Sequence, residues 1–210
     1  MPDFDRSPDG LAFSAAVRAA QDRLGSRRMY KNAEWPIDIS RDLETFIAVQ
    51  RSVFLATASV AGQPYVQHRG GPPGFLKVID SRTLGMADLT GNRQYITLGN
   101  LAENDRVHLF LIDYERAQRV KIWGRARVIE GDAAILDQVN PHETGPQAAR
   151  AVLIDVEAWD VNCAQHIPQR FEADDVAAQL AGRDARIANL EAEVALLRQQ
   201  VSGSTPDGAQ

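Results

Sequence analysis

Apolar and polar residues change period twice along this chain, from helical spacing to strand spacing near Val53 and back to helical spacing after Phe171. In residues 11–24, Leu11, Ala15, Val17 and Leu24 recur among polar neighbours, which predicts a helix that Gly25 stops. A second helix is predicted over about 40–50. Ser40 can cap it, Asp42 and Glu44 complement its dipole, and Leu43, Phe46 and Ile47 form one apolar face.

From Val53 the period is two. Ser52–Ala58 and Tyr65–Gln67 read as strands joined by a turn at Ala61-Gly62-Gln63-Pro64. Phe75–Ile79 and Leu84–Asp88 form the next predicted pair, and a helical turn around Tyr95–Leu101 precedes a strand at Val107–Ile112 that is apolar on both faces. The alternation is clearest over 120–129. There Val120, Ile122, Ala126 and Val128 share one face, and Lys121, Trp123, Arg125 and Arg127 the other. A helix over Asp132–Gln138, ended by Asn140-Pro141, and a strand over Ala151–Val156 complete this region. Many short strands with few helices predict a mainly β (α+β) fold, a split or closed antiparallel barrel rather than a doubly wound sheet.

After Phe171 a heptad emerges. Leu180, Ile187, Val194 and Val201 fall at a, with Leu190 and Leu197 at d and Arg183 as the polar d residue. β-Branched a with Leu d favours a parallel two-stranded coil, and Arg186 facing Glu191, and Glu193 facing Arg198, across two chains agrees with it. An amphipathic helix folded onto its own domain shows the same pattern. The predicted organisation is an N-terminal helical arm (1–39), a barrel domain (40–171), a heptad helix read as a parallel coiled coil (172–201) and a disordered tail (202–210).

Composition narrows the function. The 210 residues suit one sizeable core with terminal additions, and 44% apolar and 24% charged residues are ordinary for a globular chain. No apolar run nears the roughly 20 residues of a spanning helix, so no membrane partner is expected. Met1–Asp5 lacks the basic and apolar regions of a signal peptide, which makes the cytoplasm the expected location. Cys163 stands alone, so an intrachain disulfide and a multi-cysteine zinc site are excluded, and the residue reads as a small buried side chain. A net charge of −5 argues against nucleic acid as a partner.

Against that acidic background, three clusters of cations and glycines point to one small anion: His68-Arg69-Gly70-Gly71-Pro72-Pro73-Gly74-Phe75-Leu76-Lys77, Gly91-Asn92-Arg93-Gln94, and Arg119-Val120-Lys121-Ile122-Trp123-Gly124-Arg125. A phosphate favours a planar donor such as Arg93 that can bind two oxygens, and Gly91 permits a tight backbone approach. The Gly/Pro loop 70–74 would let a flat ring approach its backbone. Each piece also has a plain reading, as turn chemistry, connector or solvated strand face. Trp123 suits a ring contact or an interface. No serine or cysteine nucleophile has a base and an orienting partner.

In order and spacing, Leu76-Lys77, Gly91-Asn92-Arg93-Gln94 and Arg119-Val120 before Ile122-Trp123-Gly124 resemble the FMN-binding split β-barrel family typified by pyridoxamine 5′-phosphate oxidase, over roughly residues 45–130. The resemblance implies a homodimer with FMN between subunits. It places Lys77 near the flavin and a small-molecule substrate, Asn92 and Arg93 on the phosphate, and Arg119 near the ring. Gln94 stands where the family has lysine, a lost charge that Arg69 would offset. The family's C-terminal Arg-x-His pattern is not evident. Trp159, Asn162, Cys163, Gln165 and His166 stand there instead, which implies a different substrate, or none, with His68 and His166 as candidate substrate contacts. The implied activity is an FMN-dependent oxidoreductase. Its alternatives are a non-catalytic flavin-binding or flavin-sensing dimer and a haem- or deazaflavin-using relative.

Overall fold

The structure is a computed structural model, and it describes residues 10–140, 148–162 and 164–203. Two compact units divide between Ile167 and Pro168. In the first, seven strands form one antiparallel sheet: β1 (Ser52–Ala58), β2 (Pro64–Gly70), β3 (Leu76–Asp80), β4 (Thr83–Asp88), β5 (Arg106–Asp113), β6 (Gln118–Ile129) and β7 (Arg150–Asn162). Their order is β2-β1-β5-β6-β7-β4-β3. The edge strands β2 and β3 do not pair among the described residues, so of the two barrels the strand pattern allows this is the split one.

The period-two alternation decides what fills the interior. Val53 and Leu55 of β1, Leu109 and Leu111 of β5, Ile122 of β6, Ile154 of β7 and Leu84 of β4 are all buried in one cluster. Burying each such side chain contributes about 1.5–3 kcal/mol. Helix α3 (Arg41–Ala48) adds Leu43 and Ile47 to this core, and Ser40 caps it by accepting a hydrogen bond from the Leu43 amide at 3.2 Å. On the outer face, α5 (Ala133–Val139), capped by Asp132, packs Val139 against Ala151 and Leu153 of β7.

Several elements depart from their predicted bounds. The first helix, α1, begins at Ala15 rather than residue 11 because Ser14 caps it; it runs to Arg23, and none of its residues is buried. A four-residue helix, α2 (Arg27–Tyr30), follows it. Strand β7 runs to Asn162, well beyond the predicted Val156, because it borders two strands at once: Arg150–Asp155 pairs with β4, and Ala151–Asn162 with β6. A register shift between Trp123 and Gly124 lets β6 follow it. Gly124 has to be glycine there, since a Cβ would lie 2.4 Å from the backbone oxygen of Asp155.

The arm before α3 lies on the sheet. Trp35 stacks on Trp123 of β6 with centroids 4.5 Å apart and planes at 17°. The Trp159 Nε1 donates to the Asp38 carbonyl at 3.1 Å, and the Ile39 amide to Ser81 O at 2.7 Å. Trp123 therefore contacts its own chain on this face.

The second unit carries α6 (Ala173–Gly203), a helix of 31 residues, or about 46 Å at 1.5 Å per residue. Its heptad positions from Leu180 to Leu197 stay exposed, with Leu190 at 41% and Val194 at 43%. Ser202 and Gly203, read from sequence as tail, end this helix, and the rest of that tail lies outside the described residues. No helix among the described residues is long and apolar enough to cross a membrane.

Candidate functional site

Strand alternation aims Tyr65, Gln67 and Arg69 of β2 at one side, and these three line a pocket of about 210 Å³. A second wall is the end of the β4–β7 ladder, where Asp88 and Arg150 are register partners. The third is the segment Leu89–Leu98, which passes from β4 through the loop into helix α4 (Ile96–Glu103). Side-chain bonds pin that helix over the sheet. Thr97 Oγ1 donates to Gln67 Oε1 at 2.7 Å, and Asn100 Nδ2 to Thr57 Oγ1 at 2.9 Å.

The pocket brings Arg69, Gly91, Asn92, Arg93 and Gln94 together. Arg93 and Tyr95 sit in the left-handed region at φ 58 and φ 54, which costs a non-glycine residue about 1–2 kcal/mol each. Such backbone strain clusters at ligand clamps. The Asn92 side chain shapes the turn by accepting from the Gln94 amide at 3.2 Å. No side chain caps α4, whose first residues line the pocket, so the positive end of its dipole is open to an anion.

Arg93 is exposed and makes no hydrogen bond or ion pair among the described residues. Asp88, in contrast, holds two arginines: Arg69 Nη1 reaches Oδ1 at 2.8 Å, and Arg150 Nε reaches Oδ2 at 2.8 Å. The hydrogen bond to Asp88, with the charges of Asp88 and Glu130, raises the Arg150 pKa above its ordinary value. Three arginines against one aspartate leave the pocket with two positive charges.

Other predicted residues lie elsewhere. Lys77 on β3 pairs with Gly85 and does not line the pocket. Arg119 lies at the start of β6, between Ile112 and Asn162 in the ladder. His68 faces away from Arg69 on β2, bonded through Nε2 to Ser52 Oγ at 2.7 Å. His166 sits in a turn with φ 64, outside the pocket, and Cys163 lies outside the described residues. The Gly/Pro loop folds on itself: the Phe75 amide bonds Pro72 O at 3.0 Å, and a Cβ on Gly71 would meet Phe75 at 2.6 Å. Lys121, Arg125 and Arg127, read as a solvated face, are ion-paired with Asp160, with Asp105 and Glu157, and with Asp155.

Two buried donors have no acceptor among the described residues: Nε of Arg69 and Nε of Arg119. A buried orphan costs about 1–3 kcal/mol, so each is suited to an acceptor that a ligand or second chain brings. Sequence reasoning missed Asp88, Tyr95 and Arg150. A charged residue opening an apolar strand was the only sign of Arg150, which is separated from Asp88 by 62 positions.

A split barrel with a cationic pocket beside the β4–α4 loop defines the class. Residues 39–163, more than half of the chain, match the family model described as Pyridoxamine 5'-phosphate oxidase, and the chain belongs to that family. No curated protein matches it in sequence. Similar solved structures include HupZ of Group A Streptococcus, 18% identical over 63% of this chain and 99% of that one, with a TM-score of 0.48. A putative pyridoxamine 5′-phosphate oxidase from Lactobacillus delbrueckii is 22% identical over 60% of this chain and 95% of that one, TM-score 0.47. HutZ, the heme storage protein from Vibrio cholerae, is 15% identical over 59% and 94%, TM-score 0.40.

Proposed function

We propose that the chain is an FMN-binding oxidoreductase that acts, as a homodimer, on a small molecule. The observation that carries the reading is the convergence of Arg69, Gly91, Asn92, Arg93 and Gln94 on one pocket at the open end of α4. A terminal phosphate carries close to two negative charges, which the pocket's two net positive charges match. Arg93 and the strained loop would bind it, Asn92 would hold the turn, and Arg69 would add a charge-assisted contact through its orphaned Nε.

Bound FMN would supply the electron transfer. Lys77 and Arg119 are assigned to the ring, where a cation stabilises negative charge that develops on reduction. The Arg119 Nε, buried and without an acceptor, supports that assignment. The exposed seam of α6, with Arg186 and Glu193 opposite Glu191 and Arg198 of a second copy, supports a parallel coil in the dimer. The proposed location is the cytoplasm.

The test is the visible spectrum of the freshly purified chain, followed by mass measurement of what heat releases. A two-peaked flavin band and the mass of FMN are expected. A Soret band, a deazaflavin band, or a colourless chain that takes up no added FMN overturns the reading. Tight FMN binding without turnover of any nicotinamide donor would leave a flavin sensor in its place.

A further inference from the structure

We propose that Arg150 is a phosphate-recognition residue of this pocket, supplying the positive charge that Gln94 withholds, with Asp88 and Tyr95 as its positioning residues. The inference rests on the FMN reading above and assigns that site a residue from outside its motif.

Arg150 opens β7 directly across the ladder from Asp88, so backbone pairing delivers its side chain to the pocket wall. Its Nε is engaged by Asp88 Oδ2 at 2.8 Å. The fork end keeps its donors: Nη1 stands 3.8 Å from Glu130 Oε1, too far for a hydrogen bond. The guanidinium carbon lies 5.5 Å from the centre of the Tyr95 ring, an arrangement in which the ring face attracts the cation. The side chain is thus held at one end by a carboxylate and along its plane by an aromatic ring; neither Nη group makes a hydrogen bond among the described residues, and Nη1 stays within ion-pair reach of Glu130. At 16% exposure it has given up most of its hydration already.

Asp88 has a second consequence. It bridges Arg69 and Arg150 and cancels one of the three positive charges of the lining; Glu130, outside the lining and 3.8 Å from Arg150 Nη1, offsets part of another. A lysine at position 150 could carry the charge but could not bind Asp88 and an oxyanion at once in fixed geometry.

The experiment titrates the full chain, stripped of flavin, with FMN and with riboflavin, which lacks the phosphate, and reads flavin fluorescence. The wild type is expected to prefer FMN. Arg150→Gln should weaken FMN roughly 10–100-fold, the range for a lost bond to a charged group, and riboflavin less than about 3-fold. Arg150→Lys should recover only part of the preference. In Arg150→Gln the Asp88 carboxylate keeps Arg69 as its partner, and a thermal melt run alongside shows that each variant is folded. If the folded variants keep the wild-type preference for FMN, the assignment of Arg150 is overturned and the FMN reading stands. If the wild type binds neither flavin, or both equally, the two fall together.

Discussion

Arg69 on edge strand β2 donates to Asp88 on β4, the strand next to the opposite edge, at 2.8 Å, an ion pair between two strands that no backbone ladder joins among the described residues. With side chains 18% and 9% exposed, the pair has lost most of its water, and Arg150 on the other carboxylate oxygen completes it. The same arginine keeps a buried Nε without an acceptor, so it serves the barrel and the pocket together.

Replacing Arg69 with Met should therefore cost both stability and binding. Loss of one of two partners from a largely buried carboxylate is expected to destabilise by about 1–3 kcal/mol. Urea unfolding measures it, and a midpoint equal to the wild type would mean the pair contributes nothing.

Arg93→Gly should separate the two properties. Relief of the left-handed backbone offsets the entropic cost of glycine, each about 1 kcal/mol, so the melting temperature should hardly move. FMN affinity should fall at least about tenfold with the lost guanidinium. A parallel loss of stability would show that Arg93 holds the loop rather than a ligand.

Gly124→Ala should damage the fold itself. The added methyl meets the backbone oxygen of Asp155, which no side-chain rotation can move, and overpacking of this kind costs about 1–3 kcal/mol. A variant that melts with the wild type would place the register shift elsewhere.

Acid should destabilise the chain partly through His108. Burial, then the charge of Lys121, lowers its pKa below the ordinary 6.5, and its ring packs edge-on to Trp123 at 4.8 Å. Below pH 6.5 the unfolded state binds this proton more readily than the folded one, so stability present above that pH drains away as pH falls. His108→Gln should flatten the decline in melting temperature between about pH 7 and 5. An unchanged slope would assign the acid sensitivity to other groups.

Ile187→Lys with Val194→Lys places charge in the exposed seam of α6 and should weaken the proposed dimer, read as a lower sedimentation mass at micromolar chain. Truncation after Phe171 should also weaken the dimer while leaving FMN binding to the barrel. A monomer that binds no FMN after truncation would mean the helix, not the barrel, sets assembly.

The residue pattern alone determined the strands from β1 to β6, the inward face of β6, the cap of α3, and the loop that carries Asn92 and Arg93, because period, capping and turn chemistry are local. Tertiary structure decided the rest. Strand order puts β7 between β4 and β6, and only that pairing sets Arg150 against Asp88 across 62 positions of chain. Likewise, Trp35 covers Trp123 because the arm before α3 lies on the sheet, a contact no periodicity encodes. Local rules fix which way a side chain points along its own strand; which distant side chain it meets depends on how the sheet curls.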